Sequence, residues 1–310
     1  MREKVRVANK DQSIRLAAFT QCARLMQEYS GAVPWAAISQ GFDFEGERVY
    51  LGSRPRGIHR PTQMARGVLS IKTNQPRQGR SARYDDALSG DGYFVYAFQG
   101  TDAANRDNTC LREAFEDQTP LAYFYGISPA IYQILFPCYV TEWHPTRLSC
   151  MVAVGSPYEM NLREPIPPAY RIDRRYSTIE AKVRLHQAEF RELVLTAYGR
   201  RCAISGLPIP GLLEAAHIVP DRDERGHPEV SNGLCLSTLH HAAYDRNLLG
   251  IDPDGVVHIP AAVLAQKDGP TLEKAIKAFD GARIFLPHHP CDRPNREYLA
   301  ERFDLFRQAS

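Results

Sequence analysis

The rhythm of apolar positions changes twice along the chain. Between Asp11 and Tyr29, Ile14, Leu16, Phe19, Cys22 and Met26 recur at helical intervals, which predicts an amphipathic helix. From Phe42 to Val154 the pattern turns to short apolar runs broken by Gly and Pro: Arg48 to Leu51, Val68 to Ile71, Tyr93 to Phe98, Ala122 to Tyr125 and Cys138 to Val140. Short runs rich in Val, Ile, Tyr and Phe predict strands. This half is therefore expected to be a curled β-sheet or barrel with flanking helices. Pro165, Pro167 and Pro168 then interrupt regular structure, placing a linker at 156–176 between a domain at 1–155 and another at 177–310. The second half opens on an amphipathic stretch around Arg184 to Arg191 and continues into two short apolar runs, Leu212 to Ala216 and Leu234 to Leu236. The fold class expected for the whole is α+β.

Composition bounds the reading without naming a function. A chain of 310 residues with 44% hydrophobic and 24% charged residues is expected to fold as two soluble domains. The seven cysteines include no Cys-x-x-Cys pair, and no signal peptide or transmembrane run is visible. A reducing cytoplasm is expected, with the thiols as small core residues, no structural zinc and no membrane partner. The net charge of +2 conceals segregation. Arg54, Arg56, Arg60, Arg66, Lys72, Arg77, Arg80 and Arg83 form a stretch without an acid, and the following stretch to Asp117 is mostly acidic. A second basic concentration runs from Arg171 to Arg201. Basic residues interleaved with Gly, Pro, Gln and Asn suit phosphate tracking, and Arg54, Arg60, Arg83 and Arg200 are the candidate contacts.

The chemistry concentrates near the C-terminus. Glu214-Ala215-Ala216-His217-Ile218-Val219-Pro220 ends a predicted strand in a histidine. Ser231-Asn232-Gly233 turns the chain into Leu234-Cys235-Leu236, and His240-His241-Ala242-Ala243-Tyr244-Asp245 follows on a predicted helix. His241 and Asp245 stand one helical turn apart and share a face, so a nitrogen and an oxygen can meet one divalent ion. Phosphodiester hydrolysis needs a base for water and a cation for developing charge. With Tyr198-Gly199-Arg200-Arg201-Cys202 upstream and Leu248 to Asp252 downstream, these residues resemble the HNH nuclease family, whose core is a ββα-metal unit. The resemblance covers roughly 176–310. It implies His217 as general base, Asn232 as the brace of the loop, and His241 with Asp245 as metal ligands. Ala216 stands where relatives often carry another ligand, leaving open whether Glu214 or His240 joins the site. His240 is expected outside the metal's ligand shell, touching phosphate. One Mg²⁺ or Mn²⁺ is expected, with Co²⁺ or Ni²⁺ as alternatives.

The N-terminal half carries Gly57-Ile58-His59-Arg60-Pro61, Tyr84-Asp85-Asp86, Gly90 to Tyr96, Asn108 and Pro120 to Phe124. These resemble the SRA family, PUA-like modules that flip modified cytosine out of the duplex. The resemblance implies a pocket walled by Tyr84 and Tyr96, with Asp85 or Asp86 accepting from the cytosine amino group. Together the halves suggest a modification-dependent endonuclease acting on double-stranded DNA that contains 5-methyl- or 5-hydroxymethylcytosine. Phage defence is the natural role, and a homodimer would let one site per chain cut both strands. The competing readings are an HNH endonuclease for unmodified sequence or DNA structure, and a DNA-binding reader that does not cut.

Overall fold

The computed structural model describes residues 2–73, 93–155, 168–220, 223, 225–267 and 269–309. Its elements form two compact units, Met1–Ala188 and Glu189–Ser310. In chain order, the first contains α1 (Arg2–Glu28), β1 (Val33–Pro34), α2 (Trp35–Ile38), β2 (Phe42–Phe44), β3 (Glu47–Val49), β4 (Ile58–His59), β5 (Ser70–Thr73), β6 (Phe94–Ala97), α3 (Arg106–Glu116), β7 (Leu121–Ser128), β8 (Ile131–His144) and β9 (Ser149–Val154).

Seven strands make one curled sheet in the order β4-β5-β7-β8-β9-β6, with β1 pairing onto β8. Strands β5 and β7 run parallel and the remaining pairs are antiparallel. The central strand explains the unbroken apolar run Leu121 to Tyr125. Successive strand side chains point to opposite faces, and here both faces are covered. Leu121 and Tyr123 join one core with Tyr96, Cys110, Leu111 and Val152. Ala122 and Phe124 join the other with Ile14, Ala18, Cys22 and Leu25 of α1. Helix α1 thus packs on one face and α3 on the other.

The helix expected over 11–29 is present within the longer α1. Leu16 departs from its expected buried place, however, and is 48% exposed. Ile14, Ala18, Cys22 and Leu25 carry the buried stripe instead, because Leu16 lies about 200° around the helix from Ile14 at roughly 100° per residue.

Helix α4 (Pro168–Ala197) crosses the division between the units. Ala181 and Leu185 belong to a core of the first unit, and Phe190, Val194 and Leu195 to the core of the second. The division therefore falls within a helix, beyond the expected linker at 156–176. Pro168 opens this helix rather than interrupting it, since proline costs little in a first turn whose N–H has no partner. Pro165 and Pro167 lie outside the described residues.

The second unit contains β10 (Leu213–His217), β11 (Gly233–Ser237), α5 (Thr238–Asp245), β12 (Gly250–Ile251), β13 (Val257–His258), α6 (Ala261–Leu264), α7 (Pro270–Ala275) and α8 (Arg296–Ala309). Strands β10 and β11 pair antiparallel, with Glu214 opposite Leu236 and His217 opposite Gly233. All of β11 is buried, packed among Phe190, Val194, Ala216 and Tyr244. Six cysteines are buried, Cys291 is exposed, and all seven are free thiols. No described helix is long and apolar enough to cross a membrane.

Candidate active site

The hairpin and the helix after it bring the catalytic candidates together. His217 closes β10 and stacks on Phe190 of α4, with ring centroids 4.0 Å apart and planes inclined by 19°. Gly233 permits that packing: a Cβ there would lie 2.4 Å from Val194 Cγ2 and 3.0 Å from Phe190 Cζ. The Asn-Gly pair is thus set by close approach of α4 as well as by the turn.

Asn232 is 1% exposed and spends its amide on the loop between the strands. Its Oδ1 accepts from Val219 N–H at 2.8 Å, and its Nδ2 donates to Val219 O at 3.0 Å and His227 O at 3.1 Å. The backbone adds a bond from Ile218 N–H to Asn232 O. Both ends of the loop are therefore tied to one buried side chain next to His217.

Glu214 and Ala216 share the strand face opposite that of His217. Ala216 is fully buried, whereas Glu214 reaches α5. His241 Nδ1 lies 2.6 Å from Glu214 Oε2, and His241 Nε2 lies 3.3 Å from Asp245 Oδ2. A carboxylate can only accept, so Nδ1 carries the hydrogen of the short bond. The other ring nitrogen, Nε2, faces the Asp245 oxygen. Two ligands each about 2.1 Å from one ion stand roughly 3 Å apart, so His241 and Asp245 fit a shared divalent ion. Glu214 fits the supporting carboxylate that fixes a metal-bound imidazole's tautomer. No described group of three or more His, Cys, Asp or Glu side chains is arranged to hold a metal. The protein donors in hand are accordingly two, with Glu214 behind them. The site is open to solvent: side-chain exposures are 24% for His241, 45% for Glu214 and 57% for Asp245.

His240 departs from its expected phosphate contact. It is 2% exposed, with Nδ1 at 2.8 Å from Ser237 Oγ and 3.4 Å from Cys202 Sγ, and Nε2 at 2.8 Å from Ala275 O. With both ring nitrogens engaged inside the core, it is not presented to phosphate. Cys202 Sγ also accepts from Ser205 N–H and Ser237 N–H. Burial pushes the Cys202 thiol up, but its hydrogen bonds with His240, Ser205 and Ser237 outweigh it and bring the thiol down to about 6. This network fixes the start of α5, where Ser237 caps the helix through His240 N–H. At the other end, Arg302 of α8 donates to Tyr244 O and Asn247 Oδ1 and lies 4.5 Å over the Tyr244 ring. The helix bearing His241 and Asp245 is clamped at both ends by residues the metal would not touch. Arg302 carries no motif signal, because its partners depend on the long-range docking of α8.

The remaining expected contacts are dispersed. Arg54 is exposed. Arg60 is engaged within the first unit, 3.0 Å from Glu113 and donating to Ala65 O. Arg66 pairs with Glu113, Glu116 and Asp117. The acidic stretch thus neutralises part of the basic one. Arg200 pairs with Glu192. Tyr96 is 4% exposed and packs edge-on against Tyr123 at 6.0 Å. A Cβ at Gly57 would lie 2.8 Å from the Tyr96 hydroxyl, which accounts for that motif glycine. Tyr84, Asp85, Asp86 and Arg83 lie outside the described residues.

Residues 202–252 match the HNH endonuclease family. The chain therefore carries an HNH endonuclease domain, the class of unit that hydrolyses DNA. No curated protein matches the chain. Among solved structures it is similar to one described as a modification-dependent TagI restriction endonuclease, at 15% identity and a TM-score of 0.28, covering 76% of this chain and 81% of that one.

Proposed function

We propose that the protein is a modification-dependent DNA endonuclease whose N-terminal unit flips and tests a modified cytosine, 5-methyl or 5-hydroxymethyl. Its HNH unit then hydrolyses a nearby phosphodiester. The observation that carries the hydrolytic part is the Glu214–His241–Asp245 relay, in which a short bond at 2.6 Å orients the imidazole and Nε2 faces Asp245 at 3.3 Å. His241 and Asp245 hold the divalent ion, Mg²⁺ or Mn²⁺ in preference to Co²⁺ or Ni²⁺ because Asp245 offers a hard oxygen. When bound, the ion supplies charge neutralisation at the phosphoryl and leaving oxygens.

His217 takes the proton from the attacking water. It closes β10 opposite Gly233, on the strand face opposite that of Glu214. Phe190 restrains one face of its ring, and Asn232 keeps the adjoining loop from drifting. The modified-base part rests on the SRA-like motifs, with Tyr84, Asp85, Asp86 and Tyr96 as the reading residues. Arg54, Arg83 and Arg200 contact phosphate in this reading, and a dimer would place one cut on each strand.

The test is to incubate otherwise identical plasmids, unmodified, cytosine-methylated or hydroxymethylated, with the protein and Mg²⁺, Mn²⁺, Co²⁺ or Ni²⁺ in turn. Cleavage confined to a modified plasmid is expected. Equal cutting of all three would remove the reader and leave an ordinary HNH nuclease, and no cutting with any of these ions would remove the nuclease.

A further inference from the structure

We infer that the N-terminal unit holds a phosphate-binding cavity between the loop preceding β4 and the first turn of α3. The cavity measures about 210 Å³ and is lined by Arg56, His59, Arg60, Arg106, Asp107 and Cys110, among others. Its chemistry is that of an anion site. Three guanidinium groups face one carboxylate, and the Arg56–Asp107 pair is loose at 3.5 Å. Glu113 engages Arg60 at 3.0 Å from outside the lining. Arg106 has no ion pair among the described residues, so positive charge is left over even after both carboxylates are set against Arg56 and Arg60. His59 is tied through Nε2 to Tyr50 O at 3.0 Å, and burial lowers its pKa, keeping it a neutral wall.

The loop is held in place for this purpose. Lys72 Nζ donates to Ser53 O and Arg54 O, each at 2.9 Å, and lies 4.4 Å over the Trp35 ring. The backbone leading to Arg56 is therefore anchored to β5 before any ligand arrives. Among the described residues no aromatic ring lines the cavity other than the His59 imidazole, so a base would find little to stack on there, whereas guanidinium forks match phosphate oxygens in pairs. The phosphate can be carried by a DNA strand or by a free phosphomonoester. Assigning it to DNA rests on the endonuclease reading; the cavity's preference for phosphate does not.

The experiment compares the full-length wild type with R106Q, the R56Q/R106Q double variant and D107N, in two arms. One arm measures thermal unfolding against inorganic phosphate or deoxycytidine monophosphate at constant ionic strength. The other measures affinity for a labelled duplex across a salt series. Phosphate should raise the wild-type unfolding midpoint, the double variant should lose that rise, and D107N should bind more tightly because it removes the one lining carboxylate among the described residues. If DNA supplies the phosphate, the slope of log affinity against log salt should become shallower by about 0.9 for each phosphate that is no longer neutralised. Loss of the phosphate response with an unchanged slope would assign the cavity to a free phosphomonoester. An R56Q/R106Q variant that folds, responds to phosphate like wild type and keeps the wild-type slope would overturn the proposal. Should the wild type bind no DNA, the endonuclease reading fails while the phosphate arm still decides the cavity. Midpoints without phosphate show whether each variant folds, and R106K, which keeps the charge, should retain most of the response.

Discussion

At the scale of single residues, Glu214 is the least obvious member of the site, because it acts on His241 rather than on substrate. Removal of such a supporting carboxylate typically costs 10–100-fold in metal affinity or activity. We expect Glu214→Gln to lower cleavage by about that factor and to weaken Mn²⁺ binding measured by calorimetry; unchanged binding would remove Glu214 from its supporting role. Cys202 provides a pH prediction. Its folded value of about 6 lies below the roughly 8.5 of an unfolded thiol. A depressed acid contributes stability above its unfolded value and loses it as pH falls toward its folded value. The unfolding midpoint in urea should therefore drop between about pH 8.5 and 6, and Cys202→Ser should flatten that drop. The His241–Asp245 spacing was legible because it depends on helical geometry, whereas the Asn232 brace was legible only through the family resemblance, since its bonds to Val219 reach across the whole loop. His240 was not: adjacent helical residues point about 100° apart, so only the docking of α5 decides which of two neighbouring histidines faces the core.

At the scale of elements, the hairpin depends on how closely α4 approaches it. Gly233→Ala would drive a Cβ to 2.4 Å from Val194 Cγ2. We expect a loss of about 1–3 kcal/mol, as for other overpacked cores, with chemical denaturation as the measure and an unaltered midpoint as the contrary result. The strands of the sheet were readable from runs such as Leu121 to Tyr125, since burial on both faces leaves a strand no polar side. The extent of α4 was less readable. Prolines suggested a break, yet Pro168 stands in a first turn, where proline fits, and the helix then contributes separately to the cores of both units. Part of the basic stretch was expected to face phosphate, but Arg60 and Arg66 face Glu113, Glu116 and Asp117. Composition showed opposite charges in neighbouring segments without showing that α3 folds back onto the loop.

At the scale of the whole molecule, a curled sheet with helices on both faces is joined by a shared helix to a ββα hydrolytic unit. Recognition and cutting are thus expected to separate by mutation: changes at Tyr96 should reduce discrimination between modified and unmodified DNA while leaving the metal site intact. In the proposed mechanism His217 activates the water. The most direct test is single-turnover cleavage by wild type and His217→Ala, with duplex binding measured on the same preparations. Loss of a general base typically costs 10²–10⁴-fold in rate, so we expect cleavage to fall by about that factor with affinity nearly unchanged. Cleavage at the wild-type rate, or an equal loss of binding and cutting, would contradict the assignment.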